Sequence, residues 1–167
     1  MLGVLFARIG GRMGDETKDS LEPALREMCW GHAGATEFCL LLLQMMSVYD
    51  DLIDGDFVPA KDLHMAFEIG LLHLPRNPFY RQQFDALAPY IISAIRNWRI
   101  ANELEDRNET SEDLRIAFVL RSSYVDVFTT VALLLHGKEE AIDWGVKLRR
   151  AVADETYVAY KREMESR

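Results

Sequence analysis

Three carboxylates close the stretch Ser47-Val48-Tyr49-Asp50-Asp51-Leu52-Ile53-Asp54, directly after the apolar run from Phe38 to Val48. On a helix, residues four apart project from one face on successive turns, so Asp50 and Asp54 point the same way. Like charges so placed repel unless a cation is shared between them. A hard cation such as Mg²⁺ takes oxygen ligands, keeps several waters and is commonly completed by the phosphates of a substrate. The pattern therefore predicts a Mg²⁺ site at this helix end, on the face of Asp50 and Asp54, that handles a phosphate- or diphosphate-bearing small molecule. The plainer alternative is a core helix running out into water. That alternative must tolerate acids at the negative end of a helix dipole, an arrangement unfavourable by roughly a few tenths of a kcal/mol per acid.

Polar residues on other apolar segments mark where a shared cavity would lie. Asn102 sits beside Ile95 and Trp98 on one prospective helix. Arg115, Ser122, Asp126 and Thr130 recur at helical spacing through the apolar "RIAFVLRSSYVDVFTTVALLL". A buried Asp126 there would need a donor, a cation or a metal. Arg121 is the candidate anion contact, and Asn102 and Asp126 are the candidate cavity-lining groups. A stripe of Glu37, Gln44, Ser47 and Asp51 faces the same question, with an interhelical hydrogen-bond network as the alternative to a ligand site. Cys29 and Cys39 belong to no C-x-x-C, which predicts buried free thiols in a reducing cytoplasm rather than a zinc or redox pair. The four histidines are scattered, and no Glu-x-x-His pair, His-Asp dipeptide, P-loop or G-x-G-x-x-G occurs. No catalytic nucleophile is assigned.

"YDDLID", Tyr49 to Asp54, after an apolar helix resembles the first aspartate-rich motif of class I isoprenoid synthases, the all-α polyprenyl and terpene synthases. The resemblance implies that Asp50 and Asp54 bind Mg²⁺, with Asp51 as a supporting acid, and that the metal grips a diphosphate leaving group. It further implies a carbocation formed in an apolar pocket that excludes water. The chain departs from the family pattern at several points. Pro59 stands where polyprenyl synthases carry an arginine, and Lys61 is the nearest base. A second aspartate-rich motif is absent, and Leu133 occupies the glutamate position of the other metal motif, of which Asp126 and Thr129 remain. A reduced or degenerate relative is what this pattern implies.

The elements that must position these residues are helical. At 167 residues, 49% hydrophobic and 28% charged, the chain has the size and composition of one globular domain, and no low-complexity linker interrupts it. The net charge of −8 is concentrated between residues 15 and 62, where eleven acids face three bases. Such a field repels nucleic acid and anionic lipid and gathers cations. The first fourteen residues form an apolar piece too short for a secretory signal and are expected to be poorly ordered. No apolar run is long enough to cross a bilayer, so the expectation is a cytoplasmic protein.

Periodicity and punctuation predict helices from Ser20 to Trp30, from about Thr36 to the aspartates, and from Lys61 to about Leu74. The third should bury Leu63, Phe67, Gly70, Leu71 and Leu74 on one face. Further helices are expected from Phe79 to about Asp106, with Ile91, Ile95, Trp98 and Ala101 inward and Pro89 either kinking it or opening a new one, and from Leu114 to His136. The last runs from Glu139 to about Glu165. Trp30, Trp98, Trp144, Met45 and Met46 read as core. The fold class is thus all-α: a compact single-domain bundle of about six helices, those near 36–54 and 114–136 central, forming a homo-oligomer. The rival functional class is a non-catalytic helical interaction or oligomerisation protein of viral or mobile-element origin, with the aspartates as an acidic docking surface.

Overall fold

The computed structural model describes residues 15–110, 112–153 and 157–164, and the expectation for residues 1–14 lies outside them. Among the described residues every regular element is helical. Helix α1 spans Asp15–Met28 and α2 spans Ala33–Ile53, joined through Gly31 in the left-handed conformation. Ser20, expected as the first cap, lies inside α1, which begins earlier.

The end of α2 is sharply defined. The Asp54 N–H bonds the Asp50 carbonyl at 2.9 Å, and the Asp56 N–H bonds the Asp51 carbonyl at 2.9 Å across Gly55, whose φ is +75°. This is a Schellman-type stop, which needs a left-handed residue after the helix and fixes the aspartates on its last turn.

The next segment departs from the expected single helix. It comprises α3 (Ala60–Glu68), a π turn (Ile69–His73) and α4 (Leu74–Arg76). A π turn inserts an extra residue and rotates the buried face. Ile69 and Leu74 are accordingly buried, while Leu63, Phe67 and Leu71 stay exposed, which corrects the predicted face.

Helix α5 (Pro78–Arg107) is continuous through Pro89, and the Asn77 side chain caps it by accepting the Tyr80 N–H at 2.8 Å. Its buried stripe is Leu87, Ala94, Trp98 and Ala101, with Ile95 outside it. Asn108, at φ +41°, turns the chain back into α6 (Asp113–Arg121), and the Asp113 carboxylate accepts the Glu109 and Thr110 N–H groups at 2.9 and 3.0 Å. A single 3₁₀ turn (Ser122–Tyr124) separates α6 from α7 (Val125–His136), so the predicted long helix is broken directly after Arg121. Helices α8 (Lys138–Ala151) and α9 (Tyr157–Met164) divide the last predicted helix.

The main core joins α2 and α7 to α1, α5 and α8 through Leu25, Phe38, Leu87, Trp98, Phe128 and Leu148. A smaller cluster of Ala101, Leu114, Ala117 and Tyr160 holds α9 on the α5–α6 hairpin. Trp98 is buried as expected, but Trp30 is 85% exposed in the α1–α2 turn. The run Asp113–His136 is long and apolar enough to cross a membrane by length and composition, with 44% of its most apolar window buried inside the bundle.

Candidate functional site

The second core cluster and the end of α2 meet at one guanidinium. Arg121 is the last residue of α6, and the 3₁₀ turn that follows directs the chain onward into α7. Its Nε and Nη2 donate to the two oxygens of Glu105 on α5 at 2.5 and 2.7 Å, a bidentate charge-assisted pair. From α2, the Asp50 and Asp54 carboxylates each approach the same guanidinium at 3.6 Å. Tyr160 of α9 donates its hydroxyl to Glu105 Oε1. Four helices, α2, α5, α6 and α9, thus send side chains to one point.

The cluster is almost dry. Side-chain exposure is 13% for Arg121, 3% for Asp50, 6% for Asp54 and 7% for Glu105. Burial alone would push the Arg121 pKa down, but Glu105, Asp54 and Asp50 outweigh it and hold the guanidinium more firmly charged than in water. For Tyr160, burial and then the Glu105 carboxylate push the phenol pKa up, so it remains a neutral donor across the physiological range. The arrangement can therefore hold one cation among three carboxylates with the charges fixed in place.

Three of the six predicted site residues, Asp50, Asp54 and Arg121, come together here although Arg121 lies far along the chain. Asp51 is half-buried on the same last turns of α2. Asn102 lies one turn before Glu105 on α5, and its Oδ1 is buried without a hydrogen-bond partner, as is Trp98 Nε1 one turn further back. The Trp98 ring packs edge-on to Tyr49 at 5.8 Å and stacks with Tyr124 at 6.1 Å, which fills the bundle interior beside the cluster.

Asp126 does not join the cluster, and its predicted burial is corrected. It is an exposed residue of α7 whose carboxylate accepts from Arg149 Nη2 of α8 at 2.6 Å. The same arginine donates to the Ser122 carbonyl and hydroxyl at 2.8 Å. Thr130 bonds the Asp126 carbonyl of its own helix at 2.8 Å, and Arg115 pairs with Glu112 at 3.3 Å, so the expected polar stripe is three separate local arrangements. In the second stripe, Glu37 accepts from Asn77 at 2.8 Å and Gln44 donates to the Met65 sulfur.

Glu105 and Tyr160 were not among the residues expected from the sequence. Glu105 had a signal: it follows Trp98 and Asn102 at i+7 and i+3, on the face Asn102 already marked. Tyr160 had none, because only the packing of α9 on the α5–α6 hairpin brings it there.

The donor set suits a hard cation, since every acceptor is a carboxylate or amide oxygen. Among the described residues, no group of three or more His, Cys, Asp or Glu side chains is placed to hold a metal ion. Two carboxylates plus water and substrate oxygens is, however, an ordinary supply for Mg²⁺. No family profile, curated protein or solved structure matches the chain.

Proposed function

We propose that the end of α2 is a Mg²⁺-dependent site for the diphosphate or phosphate group of a small molecule. The observation that carries the reading is the convergence of Asp50 and Asp54 on Arg121 at 3.6 Å each, while Arg121 stays anchored to Glu105 at 2.5 Å. The two aspartates are the more distant partners of the guanidinium, and a metal on them would leave its pair with Glu105 intact. Arg121, held by Glu105 and Tyr160, then lies beside that metal as a second positive group for the anion. Mg²⁺ would supply charge neutralisation of the diphosphate; Asp50 and Asp54 would hold it, with Asp51 in support. Asn102 Oδ1, an acceptor already out of water, suits a water of the metal or a hydroxyl of the ligand.

The isoprenoid-synthase resemblance enters this reading at the head group alone. Trp98, Tyr49 and Tyr124 occupy the space beside the aspartates where a prenyl tail would need a chamber. The open groove of about 410 Å³ runs along the other half of α2, between Ala33 and Gln44. Binding of a phosphorylated ligand in a cytoplasmic protein is thus better supported than turnover of a long isoprenoid.

The test is a calorimetric titration of Mg²⁺ and Mn²⁺, with and without pyrophosphate, into the protein and into Asp50→Asn. Saturable binding that strengthens with pyrophosphate and is lost in a folded Asp50→Asn protein is the expected result. Equal inertness of both proteins would remove the reading.

A second reading, oligomerisation, is favoured by the surface that follows the aspartates. Phe67, Leu71 and Leu72 are 61%, 69% and 53% exposed on adjacent turns of α3 and the π turn, and Phe57 is 88% exposed in the loop before them. Clustered apolar exposure of this kind marks association surfaces. Leu71→Glu should lower the sedimentation coefficient to that of a monomer with helicity unchanged; an unaltered coefficient would exclude this face.

A further inference from the structure

Cys29 and Cys39 carry no sequence signature of a pair, yet the α1–α2 turn brings them together. Cys29 directly follows α1, and Cys39 lies in the first half of α2. Their sulfurs are 3.9 Å apart, both thiols are free, and both residues are buried in the main core. Gly31, at φ +81°, makes the reversal possible, and the Thr36 hydroxyl bonds the Cys29 and His32 carbonyls at 3.3 and 3.2 Å across it. On the other side His136 Nε2 meets the Met28 carbonyl at 2.7 Å, which seats the end of α1 against α7. The approach of the two sulfurs is therefore fixed by backbone on both flanks. A disulfide needs about 2.05 Å, so closure asks for less than 2 Å of sulfur movement, within the reach of side-chain rotation.

We propose that Cys29 and Cys39 form a peroxide-oxidisable pair that closes into an intramolecular disulfide and locks α1 to α2. The reaction balances with hydrogen peroxide as oxidant. The Cys29 sulfur attacks one peroxide oxygen, the O–O bond breaks, and sulfenic acid and one water form. The Cys39 sulfur then attacks the Cys29 sulfur, the S–O bond breaks, its proton goes to the leaving hydroxide, and a second water leaves. Two thiols are oxidised and one peroxide is reduced to two waters. A small thiol reductant reverses the change. Both residues are fully buried, so the oxidant must be small, and peroxide is far smaller than a disulfide. Cys29 is the better first nucleophile: the hydrogen bond from Cys39 favours its thiolate, whereas burial pushes the Cys39 thiol up.

The consequence is mechanical. The bond would close a loop of eleven residues around the exposed Trp30 turn and remove the freedom of α1 to separate from α2. From the loop-closure effect and a domain of this size, the melting midpoint of the oxidised protein should rise on the order of 5–10 °C. The experiment treats the native protein with one equivalent of hydrogen peroxide, then unfolds it in urea containing iodoacetamide and weighs the intact chain. The expected product is a monomer 2 Da lighter with neither cysteine alkylated, a raised midpoint, and return of both on adding dithiothreitol. Cys29→Ser and Cys39→Ala should each retain one alkylatable thiol and show no rise in midpoint. The proposal is overturned if native protein keeps both thiols under conditions that oxidise the urea-unfolded chain. It is equally overturned if oxidation adds oxygens or joins two chains instead of removing two hydrogens.

Discussion

Two arginines, Arg121 on α6 and Arg149 on α8, each meet a carboxylate on another helix, and their surroundings differ sharply. Arg149 reaches Asp126 at 2.6 Å, a shorter contact than either aspartate makes with Arg121, but the two side chains are 39% and 51% exposed. Arg121 has three carboxylates around it and is 13% exposed. Water competes for every charge in the first pair and for almost none in the second. Contact distance is therefore a poor guide to consequence: the exposed bridge ties α7 to α8 weakly, whereas the buried cluster sets what four helix ends can do.

Arg121→Met breaks this contrast most severely. It leaves Glu105, Asp50 and Asp54 buried without the guanidinium on which they converge, and should cost about 3–5 kcal/mol in urea unfolding. Tyr160→Phe removes one donor to a charged acceptor and should cost about 1.5–3 kcal/mol. Its loss also has a pH signature. The folded-state pKa of Tyr160 is raised, so its contribution is complete below the ordinary tyrosine value of about 10 and fades as pH rises above it. The Phe variant should consequently lose less stability than the parent between neutral and strongly alkaline pH, a difference that unfolding at paired pH values reads directly. Arg149→Ala should cost below about 1 kcal/mol, shrinking further in molar salt. A cost for Arg149→Ala equal to that of Arg121→Met would erase the distinction between the two regions.

The parts of this arrangement legible in sequence are those written in local chemistry. The aspartates four apart, the glycine that ends α2 and the apolar helices around it all follow from period and punctuation. Arg121 was legible as a base in an apolar segment. What it meets was not, because Glu105 arrives through the turn at Asn108 and Tyr160 through the packing of α9 on α5 and α6, neither of which periodicity encodes. The same limit explains Asp126 and Leu71. An apolar helix predicts burial on average, but a 3₁₀ turn after Arg121 and a π turn after Glu68 each rotate the face that follows. Cys29 and Cys39 were likewise legible as buried thiols and illegible as neighbours, since a single left-handed glycine decides their distance.

The central claim is that Asp50 and Asp54, gathered beside Arg121, can also take a divalent cation. The most direct measurement is the thermal midpoint of Arg121→Met across a series of Mg²⁺ concentrations, with Na⁺ at matched ionic strength as control. A site that accepts a divalent ion gains stability by mass action as the ion fills it. The account predicts a midpoint that climbs with Mg²⁺ toward that of the parent protein while Na⁺ leaves it low. A midpoint equally depressed at every Mg²⁺ concentration would contradict it and leave the cluster as a structural clasp between four helices.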